Sequence, residues 1–380
     1  MKDNNAQERY IDDRTDMDST FLFMADAHIT RRTWVNSTVL SGDAYLALSK
    51  VADKINGKGI RTLVIGGDWF DTNRPAPDDL VATMDFIGRF NNVYYIRGNH
   101  DSVVPSYLEA DREDAITHKA AKEIGTAERT AIDMGGCLLY GIPYMDDAGD
   151  LRKELEAAAD NARYYHKPLI VVMHATFRHL LGFDGTWQLD GDELPSIFKD
   201  CQRVTILVGH IHVRDTRTFG NVTVHSPGSL YPRSSDKMMD EHAVTVVYGS
   251  TGMLKGLKTD VRRYFEADWT SQQDLDDMAR SMVEDNPKGW LPPYLLLKLP
   301  PKSEDHPRFP DGIKMQVTFR KDINEAAVVQ RKRASTLEDS VSAECDDEDM
   351  RQLALALMRT DDVVAEVDKW LSVWGVEKLE

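Results

Sequence analysis

Five short segments each set Asp, Asn or His directly behind an apolar run: Asp26-Ala27-His28, Gly67-Asp68-Trp69-Phe70-Asp71, Gly98-Asn99-His100-Asp101, His174, and Gly209-His210-Ile211-His212. Carboxylate, imidazole and amide oxygen together suit a borderline divalent ion such as Mn, Fe or Zn better than calcium. Two such ions about 3.5–4 Å apart can clamp a phosphodiester and acidify a water between them. Residues two apart on an extended segment face the same side, so Asp26 with His28, and His210 with His212, can converge on one place. Each piece alone has a plainer reading. Asp68 or Asp71 could cap a helix, Gly-Asn-His-Asp could be a simple turn, and a strand-ending His is usually structural. Five such segments at five strand ends point instead to one shared site, because sites in α/β sheets form at the carboxyl ends of strands. The glycines before Asp68, Asn99 and His210 allow a sharp turn straight after each strand.

The elements that must position these residues are legible as apolar runs. Strands are expected at 20–25, 61–67, 92–98, 137–144, 168–174 and 203–210, with helical patterns at 42–56, 78–90 and 108–124. Strand and helix in alternation argue for a layered α/β fold. After Gly209 strands follow one another through short turns (TRTFG, NVTVHS, HAVTVVYG, GMLKGLKTDV), which suggests a second, more antiparallel sheet packed on the first. A further unit is expected from about Asp268, with a helix starting after Thr270 and strands PYLLLKLP and IKMQVTFR around a Pro-rich turn. The expected organisation is a disordered polar arm at 1–19, a catalytic domain at 20–261 and a small α+β unit at 268–322. A flexible linker at 323–345 and a helical tail at 346–380 complete it. In the tail Leu353, Leu357, Val364, Val367, Trp370, Leu371 and Trp374 form an apolar stripe on otherwise acidic helices.

Composition bounds the rest. Three widely spaced cysteines among 380 residues give no disulfide framework and suggest a reducing compartment. The polar N-terminus does not read as a secretory signal, and no run of about eighteen apolar residues suggests a membrane span. A cytoplasmic protein is expected, nucleoid-associated if the host is a bacterium or phage. The net charge of −17 argues against nucleic acid when taken alone. Residues 334–380, however, carry thirteen Asp/Glu against four Lys/Arg, and bound divalent ions would add positive charge at the site.

The ordered set Asp-x-His, Gly-Asp-x-x-Asp, Gly-Asn-His-Asp, His and Gly-His-x-His resembles the calcineurin-like metallophosphoesterases. Within them, GGDWFDTNRPAPDDL (66–80), YYIRGNHD (94–101), LVGHIHVRD (207–215) and HSPGSLYPRSSDK (225–237) look most like the SbcD-type nuclease subunits of DNA double-strand-break repair. The resemblance implies a sandwich of two mixed β-sheets flanked by helices, with a small α+β capping domain that helps select DNA ends and a C-terminal helical tail. It implies one metal on Asp26, His28, Asp68 and His212, and a second on Asp68, Asn99, His174 and His210, with Asp68 bridging. His100 would be the catalytic histidine, and Asp101 would orient it. Manganese would be the metal. DNA ends and single strands would be the substrates, an SbcC-type coiled-coil ABC ATPase the partner, and the assembly a homodimer with no membrane association. This sequence departs from the family in following Asp-x-His with Ile29-Thr30 where leucine and glycine are common. Arg74 and Arg97 are candidates for phosphate contacts. The alternative function is a phosphomonoesterase or cyclic-nucleotide phosphodiesterase on the same core. His118, His166, His179, His225, His242 and His306 carry no assigned chemistry.

Overall fold

The computed structural model describes residues 19–34, 40–100, 108, 121–126, 130–178, 188–234 and 237–320. In chain order its strands are β1 (Thr20–Met24), β2 (Thr62–Gly66), β3 (Asn92–Ile96), β4 (Ala121–Glu123), β5 (Ala131–Asp133), β6 (Leu138–Ile142), β7 (Leu169–His174), β8 (Phe177–Arg178), β9 (Leu189–Asp190), β10 (Val204–Gly209), β11 (Asp215–Phe219), β12 (Val222–Ser226), β13 (Ala243–Tyr248), β14 (Met253–Lys258), β15 (Tyr264–Asp268), β16 (Tyr294–Leu299) and β17 (Lys314–Phe319). The longer helices are α1 (Asp43–Ile55), α2 (Pro77–Ile87), α3 (Ala148–Tyr165) and α4 (Gln272–Glu284).

Two six-stranded mixed sheets carry the molecule, in the orders β14-β13-β1-β2-β3-β4 and β11-β12-β10-β7-β6-β5. Both are buried on both faces, which is why their central strands read as continuous apolar runs. The pleat sorts the side chains between two environments. Phe21, Phe23, Val64, Ile170, Val172 and Leu207 fill the space between the sheets. Their neighbours Leu22, Met24, Leu63 and Ile65 turn outward under α1 and α2, through Ala44, Ala47, Leu48, Val51 and Phe86. Val171, Met173, Ile206 and Val208 turn outward under α3, through Leu151, Leu155 and Ala158. The result is a helix–sheet–sheet–helix sandwich. The caps are local: Asp147 accepts from Asp150 N at 2.9 Å to start α3, and Asp79 accepts from Ala76 N at 2.8 Å to start α2.

Two sequence expectations are corrected. The strands after Gly209 do not make a separate sheet. The β11–β12 hairpin extends the second sheet, and β13–β14 extends the first antiparallel to β1. The helical pattern at 108–124 fails at its end, where Ala121–Glu123 pairs with β3 as a parallel strand. The preceding residues, other than Leu108, lie outside the described ones.

The chain divides into two compact units, 1–296 with 308–316, and 297–307 with 317–380. Within the first, a buried ion pair anchors the segment that follows Asp26 and His28. Asp43 and Arg262, 0% and 2% exposed, meet through two hydrogen bonds of 2.9 Å, and Tyr264 and Thr33 also donate to Asp43. Beside them Trp34 packs with Tyr264 and Tyr294 and donates to Pro232 O at 3.0 Å. In the second unit Arg320 N donates to Leu299 O at 2.9 Å. The polar arm, the linker and the helical tail expected at 1–19, 323–345 and 346–380 lie outside the described residues, Ser19 apart.

Candidate metal centre

All seven expected ligands gather at the carboxyl ends of β1, β2, β3, β7 and β10. Asp26, His28, Asp68 and Asn99 come from the first sheet, and His174, His210 and His212 from the second. The turns that deliver them are unusual. Asp26, His28, Asp68 and His210 have φ of 49°, 42°, 50° and 86°, in the left-handed region that L residues rarely adopt. The adjacent glycines act partly by other means than turning. A Cβ on Gly98 would sit 2.1 Å from Asp68 Oδ1, and one on Gly209 would sit 2.2 Å from Gly66 O. Gly98 lets neighbouring loops of the first sheet close on each other, and Gly209 lets the second sheet approach the first.

The donors form two groups. In one, His28 Nε2 and His212 Nε2 are 3.0 Å apart, with Asp26 Oδ1 3.9 and 3.6 Å from them. In the other, Asn99 Oδ1 lies 3.1 Å from His174 Nε2 and 2.9 Å from His210 Nδ1, and the two rings' nitrogens are 3.3 Å apart. Asp68 Oδ2 stands between the groups, 3.8 Å from His28 Nε2 and 3.4 Å from His174 Nε2. Two donors bound at about 2.1 Å to one ion lie roughly 3–3.5 Å apart, so this spacing suits metal coordination. It is also the length of a single N–H···N hydrogen bond, in which one of the two facing imidazole nitrogens donates and the other accepts. A third grouping, His28, Asp71 and His100, also brings donor atoms together. There Asp71 already accepts from the Arg233 guanidinium, which would repel a divalent ion.

Supporting bonds orient the ligands. His174 Nδ1 faces Gly66 O at 2.8 Å, which leaves Nε2 as the ligating atom. Both oxygens of Asp26 accept from His210 N at 2.9 Å, and Asp68 Oδ1 accepts from His100 N at 2.9 Å. His100 Nδ1 lies 2.9 Å from Asp71 O, so in the neutral ring Nδ1 carries the proton and Nε2 the lone pair. Tyr144 stacks on His210 with ring centroids 5.9 Å apart. Sequence reasoning placed Asp71 in a site segment, as the second acid of Gly-Asp-x-x-Asp, without giving it a role, and it missed Arg233. Arg97 is corrected as a phosphate contact, because it pairs with Glu123 at 2.6 Å. Arg74 is exposed. His225 packs between the hydroxyls of Thr216 and Thr245 at 2.8 and 2.7 Å. Asp101, His118 and His179 lie outside the described residues.

Electrostatics separate the four candidate ligand histidines. Burial pushes His28 and His210 down to about 4 and His212 to about 3, so all three are neutral and ligand-competent at pH 7. Burial also opposes charge on His174. There the hydrogen bond and charge of Asp68 outweigh it and push the imidazole up to about 9. Burial works against charge on Asp68 as well, and the His174 contact overcomes it, holding Asp68 below the usual carboxylate range. Of these four histidines, His174 is therefore the one expected to be an imidazolium in the metal-free protein. Long-range proton–nitrogen NMR at pH 8 should show His174 protonated and the other three neutral, and added metal should deprotonate it. Uptake of an ion at His174 should weaken about tenfold per pH unit below its pKa. A neutral His174 at pH 7.5 without metal would contradict this.

A family model described as calcineurin-like phosphoesterase matches residues 19–214. The chain is 24% identical over 202 residues to the DNA double-strand break repair protein Mre11 of Saccharolobus solfataricus, covering 51% of this chain and 49% of that relative. It is 23% identical over 199 residues to the protein of that name from Sulfurisphaera tokodaii, with the same shares. The chain thus spans about half the length of the curated relatives it matches. Among solved structures it is similar to TT1561 of Thermus thermophilus, at 15% identity and a TM-score of 0.42 over 63% of this chain and 98% of that one.

Proposed function

Because the chain belongs to the calcineurin-like phosphoesterase family, we propose that it is a two-metal phosphodiesterase that cleaves DNA, with manganese as its metal. The observation that carries this reading is Asp68 Oδ2, standing between two groups of nitrogen and oxygen donors. Asp26, His28, Asp68 and His212 would hold one ion, and Asp68, Asn99, His174 and His210 the other. Bound there, the ions would supply positive charge to the phosphoryl oxygens and an activated water. The chain's own contribution to proton movement falls to His100. Its Nδ1 is tied to Asp71 O, so Nε2 is the atom that would deliver a proton to the departing sugar oxygen.

DNA as the substrate is supported by the name of the Mre11 relatives, DNA double-strand break repair proteins, and cleavage at ends and in single strands belongs to the SbcD-like reading. The further features of the reading come from the SbcD-like motifs. They are a capping unit at 268–322, an SbcC-type coiled-coil ATPase docking on the tail at 346–380 beyond a flexible 323–345 linker, and a cytoplasmic or nucleoid setting. A homodimer belongs to the same reading. Among the described residues no helix is long and apolar enough to cross a membrane.

The net charge of −17 favours the second reading, a phosphomonoesterase or cyclic-nucleotide phosphodiesterase. Full-length protein assayed with Mn²⁺ on linear duplex DNA, single-stranded DNA, a phosphomonoester and a cyclic nucleotide separates the two. DNA cleavage that chelation abolishes and Mn²⁺ restores is the expected result. Turnover of the small substrates with intact DNA would favour the second reading.

A further inference from the structure

Arg233 is largely buried, its side chain 13% exposed. A guanidinium cannot shed its charge, and burying one beside a site for divalent cations is costly unless its donors are met. Its two terminal nitrogens go to different groups, while its buried Nε has no hydrogen-bond partner among the described residues. Nη2 donates to Asp71 Oδ1, and Nη1 donates to the Tyr231 hydroxyl at 2.7 Å. Both acceptors lead on to His28. Asp71 Oδ1 lies 3.3 Å from His28 Nδ1, the ring nitrogen opposite the Nε2 that faces His212; this is an electrostatic contact without hydrogen-bond alignment. The Tyr231 hydroxyl, fully buried, donates to the His28 carbonyl oxygen at 2.9 Å. One planar cation thus reaches a single ligand residue by its ring and by its main chain. His28 is also a residue whose φ of 42° persists only where its surroundings hold it.

The cation itself is held by the scaffold. The neighbouring Pro232 O accepts from Trp34 Nε1 at 3.0 Å, and Trp34 is packed against Tyr264 and Tyr294. A guanidinium that served packing alone would not need both its bonded partners to converge on one metal-facing histidine.

We infer that Arg233 is a positioning residue of the metal centre, orienting His28 through Asp71 and Tyr231 for the ion shared with Asp26 and His212. The inference rests on the two-metal reading above. Partners of this kind, one shell removed from the metal, typically change metal affinity about 10–100-fold when lost. The effect should fall on one ion and spare the ion of Asn99, His174 and His210, because both routes from Arg233 end on His28.

The test is Mn²⁺ titration of the metal-free full chain by calorimetry and electron paramagnetic resonance, for wild type, Arg233→Met, Arg233→Lys and Tyr231→Phe. Thermal melts without metal accompany each. Wild type should bind two ions with an exchange-coupled signal. Arg233→Met should bind one ion as wild type does and the other about 10–100-fold more weakly, with a mononuclear signal at one equivalent. Arg233→Lys should recover only part of the loss, since one ammonium cannot span both acceptors. Tyr231→Phe should weaken the same ion to a smaller degree. Two ions bound by Arg233→Met as tightly as by wild type, or both weakened equally, would overturn the inference. If Arg233→Met does not fold, Tyr231→Phe decides, and unchanged two-ion binding in it overturns the inference. A wild type that fails to bind two ions removes the two-metal reading and this inference with it, whereas equal binding by wild type and variants removes the inference alone.

Discussion

Asp68→Asn is expected to lose tight binding of both ions and to lower phosphodiester hydrolysis by about a thousandfold or more, the several kcal/mol that metal charge stabilisation supplies. One carboxylate oxygen faces both donor groups, so no other single change should empty both. The substitution is clean in its backbone. Asp68 has φ 50°, and asparagine is among the residues that best tolerate the left-handed region. The side-chain oxygen that accepts from His100 N can also be kept. The metal-free variant should therefore fold, with His174 stripped of the carboxylate that raises its pKa. Metal analysis after gel filtration gives the answer; two retained ions would contradict the bridging role.

His100→Ala should behave in the opposite way, keeping both ions and losing about 10²–10⁴-fold in DNA cleavage, the usual range for a positioned proton donor. What His100 gives to Asp68 is its main-chain N–H, and alanine retains it. The ring's tie is to Asp71 O, outside the two donor groups assigned to metal. Calorimetry with Mn²⁺ should be unchanged, and the deficit should shrink on a substrate with a good leaving group such as a nitrophenyl ester, which needs less protonation. Near-normal DNA cleavage would remove the role, and loss of an ion would make His100 a ligand.

Much of this candidate site was legible because its expected ligands sit at strand ends. An apolar run such as PLIVVMH announces its strand, and the first polar residue behind it falls where sheets form sites. The spacing argument for Asp26 with His28 and for His210 with His212 held less well: it assumed extended backbone, whereas Asp26, His28 and His210 have positive φ, and His210 and His212 fall in different donor groups. The Arg233–Asp71 contact was not legible, because its partners are 162 residues apart and neither has a periodic signature. Arg97 looked free as a cation behind a strand, but β4 lies alongside β3 and supplies Glu123. That strand was itself misread: a helical pattern across 108–124 gave way at Ala121 to pairing with β3, where sheet contacts outweigh local propensity. The role of Gly98 was half legible. Its type suggested a turn, whereas its use is to leave room for the Asp68 carboxylate.

The division of the ligands between two sheets has a consequence for assembly of the chain. His28 and His212 lie 184 residues apart in sequence, as do Asp26 and His210. Contacts of that separation form only after costly loop closure, so a fold dominated by them is slow to complete. Neither donor group exists until the two sheets have docked, and an ion cannot template the early steps. Metal uptake would then mark the last stage of folding, and a bound ion acts as a late non-covalent staple that slows the parting of the sheets more than it speeds their meeting.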